Sequence, residues 1–213
     1  MCREARGLTV ARSELARTPE EAGALSERLG LPVALKVSSG DISHKTDVGG
    51  VRLGLASAAD VTAAAGALLA RVREARPAAR IDGVLVQRMV AGGVELLLGM
   101  VRDPQFGPLV VVGFGGIYVE VLGDTAARLA PFGQDEARRM VGELRMAPAL
   151  EGARGRPPVD LGALADTISR FARLVADEPE LAEIEVNLLI ARPDEVVAVD
   201  ARAMLARPTA PAP

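Results

Sequence analysis

Apolar and polar positions alternate along the chain at two periods, and the order of those periods sets out the elements. Thr18-Pro19-Glu20-Glu21 has the form of a capped helix start. Thr18 offers a cap, Pro19 suits the first turn and Glu21 completes a capping box. Ala22, Leu25 and Leu29 then share a face, and Gly30 ends the helix. Pro32 to Val37 is a short apolar run carrying Lys36, read as a strand, and Val51 to Leu55 is a second. Between them Ser38 to Gly50 is rich in Ser, Gly and Asp and reads as a functional loop. Ser57 caps a helix whose apolar face is Val61, Ala65, Leu68, Leu69 and Val72, stopped by Pro77. Ile81 to Val90 and Val94 to Val101 read as two strands joined by Ala91-Gly92-Gly93, a hairpin signal.

Leu109 to Val112 is a buried strand leading into Gly113-Phe114-Gly115-Gly116. A short strand from Ala126 to Pro131 and a helix from about Gln134 to Leu144 follow. Asp160 caps the last long helix, with Leu161, Leu164, Ile168, Phe171 and Val175 on its face. The chain closes with a strand from Leu181 to Ala191, a turn at Arg192 to Glu195, and a strand from Val196 to Asp200. Hairpins mixed with helices predict an α+β fold rather than regular βαβ alternation.

Composition narrows the function classes. The 213 residues suffice for one large domain or two small ones. Aromatics are only 2% with no Trp, so a base-stacking surface is not expected, and a net charge of −3 argues the same way. No nucleic-acid partner is therefore predicted. Apolar runs fall short of membrane-spanning length, and MCREARGLTV lacks the apolar core of a signal peptide. The single cysteine, Cys2, forms no internal disulfide, so a cytoplasmic setting is expected. The Pro/Ala-rich tail, residues 207–213, is expected to be disordered.

Candidate chemistry gathers in three places. If Arg192 to Glu195 form the turn, Ala191 pairs with Val196 and Asn187 lies opposite Asp200. Glu185 then falls on the same face as Asn187, while Ile184, Val186, Leu188 and Ile190 face the other way with Val197 and Val199. Hard oxygen donors at one spot suit Mg²⁺, but on these residues alone a plain solvated face of an edge hairpin is the favoured reading. The loop Asp41-Ile42-Ser43-His44-Lys45-Thr46-Asp47-Val48-Gly49-Gly50 holds the only histidine. Neutral imidazole can carry a phosphoryl group, and Gly49 and Gly50 can bring N–H groups close to phosphate; a surface His in a polar loop is the other reading. Lys36 and Glu95 stand on apolar strands, where a charge facing inward requires a partner. Gly113-x-Gly115-Gly116 follows a strand but lacks the spacing of a phosphate-binding loop.

Taken together these segments resemble a known family. Leu35-Lys36-Val37, the His44 loop, Gly92-Gly93-Val94-Glu95, Arg102 to Pro108, Arg128-Leu129-Ala130-Pro131, Glu185-x-Asn187 and Val199-Asp200-Ala201-Arg202 resemble the nucleotide end of ADP-forming acyl-CoA (acetate–CoA) synthetases. The resemblance runs from about Gly7 to Met204. It implies an ATP-grasp fold related to the β subunit of succinyl-CoA synthetase, spanning 1–206. A smaller subdomain of about 15–90 and a larger one of about 91–206 carrying the metal site are implied.

By the same resemblance, Lys36, Gly49, Gly50, Gly115, Gly116 and Arg128 lie near the phosphates of ATP or ADP. Gln87, Arg88, Met89 and Val90 form the hinge that reads the adenine edge, and Glu95 holds the ribose. Glu185, Asn187 and Asp200 hold Mg²⁺. His44 is the phosphohistidine relay. The partner implied is an α subunit with CoA-binding and acyl-transfer domains, which handles acyl-CoA and phosphate. Departures are Glu185 where Asp is usual, Leu188 where Pro usually follows the Asn, and Ser43 in place of an apolar residue. A non-catalytic ATP-binding module and a truncated remnant of such a ligase are the competing expectations.

Overall fold

The computed structural model describes residues 7–42, 44–115, 123–152, 155 and 157–206. They fall into two compact units, one made of residues 11–91 and the other of 1–10 with 92–213.

The first unit is a four-stranded sheet under two helices. Its strands are β1 (Ser13–Ala16), β2 (Val33–Ser38), β3 (Val51–Leu55) and β4 (Gly83–Arg88), in the order β1-β4-β2-β3. Its helices are α1 (Pro19–Leu29) and α2 (Ala58–Ala75). Local side-chain chemistry starts both. The Glu21 N–H donates to Thr18 Oγ1 at 3.2 Å, and the Asp60 N–H to Ser57 Oγ at 3.1 Å. Glu21 Oε2 in turn accepts from the Arg17 N–H at 2.7 Å, one residue earlier than a capping box requires. Ala22 and Leu25 of α1, Val61, Ala65, Leu68 and Val72 of α2, and Val33, Leu35, Val37, Val84 and Val86 of the sheet form one core. Alternation along a strand therefore sends Ala34, Lys36, Leu85 and Gln87 to the face away from the helices.

The second unit is a six-stranded antiparallel sheet with two helices on one face. It contains β5 (Val94–Asp103), β6 (Gly107–Phe114), β7 (Thr125–Leu129), β8 (Leu181–Ala191), β9 (Val196–Ala198) and β10 (Ala201–Leu205). The order is β10-β8-β5-β6-β7, with β9 pairing β8. Helices α3 (Gln134–Gly142) and α4 (Leu161–Asp177) bury Ala137, Met140, Leu164, Ile168, Phe171 and Val175 against Leu96, Leu98, Met100, Val110 and Val112. Asp160 caps α4 as its sequence predicts, accepting from the Ala163 N–H at 2.9 Å.

Two expectations are corrected. Ala91-Gly92-Gly93 is not a hairpin: β4 pairs β1 and β2, whereas β5 pairs β6 and β8 in the other sheet. Gly92 (φ 70°) and Gly93 (φ 93°) turn the chain out of the first unit instead. A Gly pair signals positive φ, which a unit boundary needs as much as a tight turn does. The closing strand expected from Val196 to Asp200 ends at Ala198 as β9, and an unexpected strand, β10, follows Val199-Asp200.

Candidate functional site

In the first unit, β2 places Lys36 between Val51 of β3 and Leu85 of β4. Lys36 is 7% exposed and Gln87 4%, and both occupy the helix-free face of the sheet. An ammonium that far from water requires polar partners, and Lys36 has them. After β4 the backbone remains tied into this unit. The Arg88 N–H donates to the Arg12 carbonyl at 2.9 Å and the Met89 N–H to the Pro32 carbonyl at 3.1 Å. Met89 Sδ accepts from the Gly54 N–H at 3.1 Å, a non-local contact with β3. Of the predicted hinge donors, those of Arg88 and Met89 are thus already spent.

The loop between β2 and β3 is held at both ends by its own apolar residues. Ile42 and Val48, 6% and 7% exposed, enter the core of this unit, and His44 stands exposed between them. Asp41 Oδ2 accepts from the Arg80 N–H at 2.7 Å, adding a polar tether. The Gly49 N–H donates to the Thr46 carbonyl at 3.0 Å and the Gly50 N–H to the Lys45 carbonyl at 2.8 Å. These bonds correct the expectation that the two glycines offer N–H groups to phosphate: they close the turn. Gly50 is also sterically required, since a Cβ there would lie 2.6 Å from Val37 Cγ1.

In the second unit, the turn at Arg192 to Glu195 sets the register that its length predicts. Ala191 pairs with Val196, and the Asn187 N–H donates to the Asp200 carbonyl at 3.0 Å. Asn187 Nδ2 reaches Glu185 Oε1 at 3.1 Å, so these two side chains touch. The apolar face differs from the expected one. Ile184 and Val186 face the core, but beyond Asn187 it is Leu189 and Ala191 that do so, with Val196 and Ala198. Between Leu96 and Leu98 on β5 the pairing skips from Leu189 to Val186, three residues on β8 against two. One extra residue in β8 inverts the alternation, and Ile190 and Val197 pass to the face of Glu95. The Asn187–Leu188 peptide, at this bulge, is cis.

Glu95 and Glu185 share the helix-free face of the second sheet, because their neighbours Leu96, Val186 and Leu98 face the helices. Arg128 is on the opposite face. It pairs with core-facing Val110, and its Nε donates to Glu136 Oε1 at 2.6 Å while Nη2 donates to Glu143 Oε1. Hydrogen bonds that it donates to Glu143 and Glu136 raise its pKa, and the bond from Arg128, then that from Arg139, lowers the pKa of Glu136. The expectation that Arg128 joins a phosphate site with these acids is therefore corrected: the sheet stands between them. The Gly115 N–H is spent on the Glu95 carbonyl at 2.8 Å, and a Cβ there would lie 3.0–3.1 Å from the Glu95–Leu96 main chain. Gly115 accordingly fixes the end of β6 against Glu95. Gly116 lies outside the described residues.

The donor chemistry of Glu185, Asn187 and Asp200 fits a hard divalent cation. Two carboxylates and an amide oxygen match Mg²⁺, which takes one or two carboxylates and completes its shell with phosphate and water. Among the described residues no group of three or more His, Cys, Asp or Glu side chains is placed to hold a metal ion, so the set consists of two carboxylates and an amide. Among the described residues no helix is long and apolar enough to cross a membrane.

Residues 3–205 match the ATP-grasp domain model. The β subunit of acetate–CoA ligase [ADP-forming] I from Pyrococcus furiosus is 41% identical over 199 residues, covering 93% of this chain and 86% of that one. The chain belongs to the ATP-grasp family of ADP-forming acetate–CoA ligase β subunits. Acetate–CoA ligase [ADP-forming] I of Archaeoglobus fulgidus is 47% identical over 184 residues. There the ATP-grasp chain aligns along 86% of its own length but spans only 27% of the relative. Among solved structures, acetyl-coenzyme A synthetase 1 of Ca. Korarchaeum cryptofilum, in complex with coenzyme A, Ca-AMPCP and HgCl+, superposes with a TM-score of 0.91 at 40% identity, covering 94% of this chain and 88% of that one. Another structure of that protein (TM-score 0.82, 37% identity, 94% and 87% covered) holds coenzyme A and Mg-AMPPCP, with its phosphohistidine segment pointing towards the nucleotide binding site.

Proposed function

We propose that this ATP-grasp chain is the nucleotide half of an ADP-forming acyl-CoA synthetase. It exchanges a phosphoryl group between ATP/ADP and a phosphohistidine, while a partner α chain interconverts acyl-CoA and acid. The observation that carries this is the 41% identity along 86% of a β subunit.

In this reading Lys36, buried on the helix-free face of the first sheet, meets the phosphates with its ammonium. Gln87 and Val90 border the base, and Glu95 takes the ribose hydroxyls. Glu185, Asn187 and Asp200 hold Mg²⁺, which when bound neutralises phosphate charge in the transfer. His44 receives the phosphoryl group on a ring nitrogen: its N–P bond forms as the bond from phosphorus to the donor atom breaks. The exposure of His44 between two buried anchors suits a group that exchanges with a second site.

The test is ATP formation from acetyl-CoA, phosphate and Mg-ADP by the chain together with the α chain encoded beside it. ATP should form with both chains and not with either alone, and His44→Ala should abolish it. A His44→Ala chain that retains full activity would exclude the relay.

A further inference from the structure

Arg71 of α2 lies across the His44 loop. Gly49 has φ +64°, and a Cβ added there would fall 2.5 Å from Arg71 Cδ and 3.2 Å from Nη1. The arginine stem therefore occupies the space that any other residue at Gly49 would fill. Its guanidinium is exposed, and within the described residues neither Arg71 nor Lys45 forms an ion pair. Two other arginines of this unit are paired. Arg80 sits 3.4 Å from Asp82, and Arg28 sits 2.5 Å from Glu14. The loop also carries two carboxylates. Asp41 is bound to the Arg80 N–H, and Asp47 is exposed. Lys45 follows His44 directly and its carbonyl accepts from the Gly50 N–H, so Lys45 stands at one end of the turn whose Gly49 lies under Arg71 of α2.

We propose that Arg71, with Lys45, forms an anion subsite that holds the phosphoryl group while it resides on His44. The ligand class is a phosphate dianion. A planar guanidinium suits two of its oxygens, and a nearby ammonium adds a point charge. Arg71 is a positioning residue: it acts on the group carried by His44 and takes part in no bond change. Gly49 is glycine because this stem passes over it. The proposal rests on His44 being the phosphoryl carrier.

The chain has a single histidine, so its ring signals in a nuclear magnetic resonance spectrum belong to His44. Inorganic phosphate is titrated into the full chain while those signals are followed. Wild type should give a saturable shift. Arg71→Gln should bind phosphate at least about tenfold more weakly, the scale of a lost charge-assisted hydrogen bond, and Arg71→Lys should recover part of it. Melting temperatures without ligand should match, which separates lost anion binding from lost structure. Equal titrations in wild type and Arg71→Gln, or no saturable shift in wild type, would overturn the subsite. Mg-ATP is added to the same samples as a separate measurement: no thermal stabilisation by Mg-ATP would count against the nucleotide function, whatever phosphate does at His44.

Discussion

The main-chain N–H of Asn187 donates to the carbonyl of Asp200 at 3.0 Å, so the strand break carrying Asp200 is pinned to the bulge carrying Asn187. The bond is between backbones and does not depend on either side chain. Both side chains are exposed. Asp200→Asn should therefore leave the ligand-free melting temperature within about 1 °C, since exposed substitutions of this kind change stability little. It should remove most of the Mg²⁺-dependent part of the stabilisation by ATP. Thermal melts with ATP, with and without Mg²⁺, measure both quantities.

Arg128 should behave in the opposite way. It joins β7 to α3 through Glu136 and Glu143, on the sheet face away from Glu95 and Glu185. Arg128→Ala should lower stability and leave nucleotide affinity within about twofold, the scatter expected for a distant site. The pH dependence has a definite sign. Glu136 titrates below its ordinary value when folded, so its contribution is present above the unfolded carboxylate pKa of about 4.3 and fades as pH falls through the lower folded value. The raised pKa of Arg128 keeps that partner charged throughout this range. Denaturant melts at neutral pH and near pH 3 should show the variant and wild type converging in acid.

Arg102 tests the cover of α4. Its Nε donates to the Leu181 carbonyl at 2.8 Å, and its Nη2 to those of Val175 and Glu178 at 2.8 and 2.9 Å. These carbonyls end the helix and lead into β8, where no side-chain cap is available from the sequence around Glu178. Arg102→Ala should cost about 2 kcal/mol, the value of charged hydrogen bonds to partners left wanting. That corresponds to a fall in melting temperature of roughly 4–8 °C. Arg102→Lys should recover little, because one ammonium does not span three carbonyls set apart.

Local chemistry was legible in the sequence, and non-local pairing was not. Thr18, Ser57 and Asp160 announce their helices because each bonds an N–H three residues ahead. The β8–β9 register follows from a four-residue turn and survives in the structure. The inversion beyond Asn187 does not follow from the turn, because the bulge is defined against β5, some ninety residues earlier in the chain. β1 and β10 escaped notice for a related reason. Ser13–Ala16 is four residues long, and Ala201–Leu205 is exposed throughout, so neither carries a burial pattern of its own. Arg128 was misplaced because its partners come from α3, and only the pairing of β7 with β6 tells which face it takes. The candidate ligands Glu185, Asn187 and Asp200 can be read together from the sequence because all three lie on one hairpin.

The anchors of the His44 loop give the last test. Ile42 and Val48 are apolar residues in an otherwise polar segment, and both are buried in the first core. Removing their side chains loosens the loop before it affects the sheet, since Val33, Leu35, Val84 and Val86 keep their own contacts. The double change Ile42→Ala with Val48→Ala should raise hydrogen exchange in residues 41–50 by roughly tenfold or more, in line with the loss of at least 1–2 kcal/mol of local burial. Exchange in β2 and β4 should rise far less. If His44 acts by visiting two sites, turnover should change while Mg-ATP affinity does not. A double variant in which both fall together would mean that the loop shapes the nucleotide pocket itself, and His44 would then be held in one place.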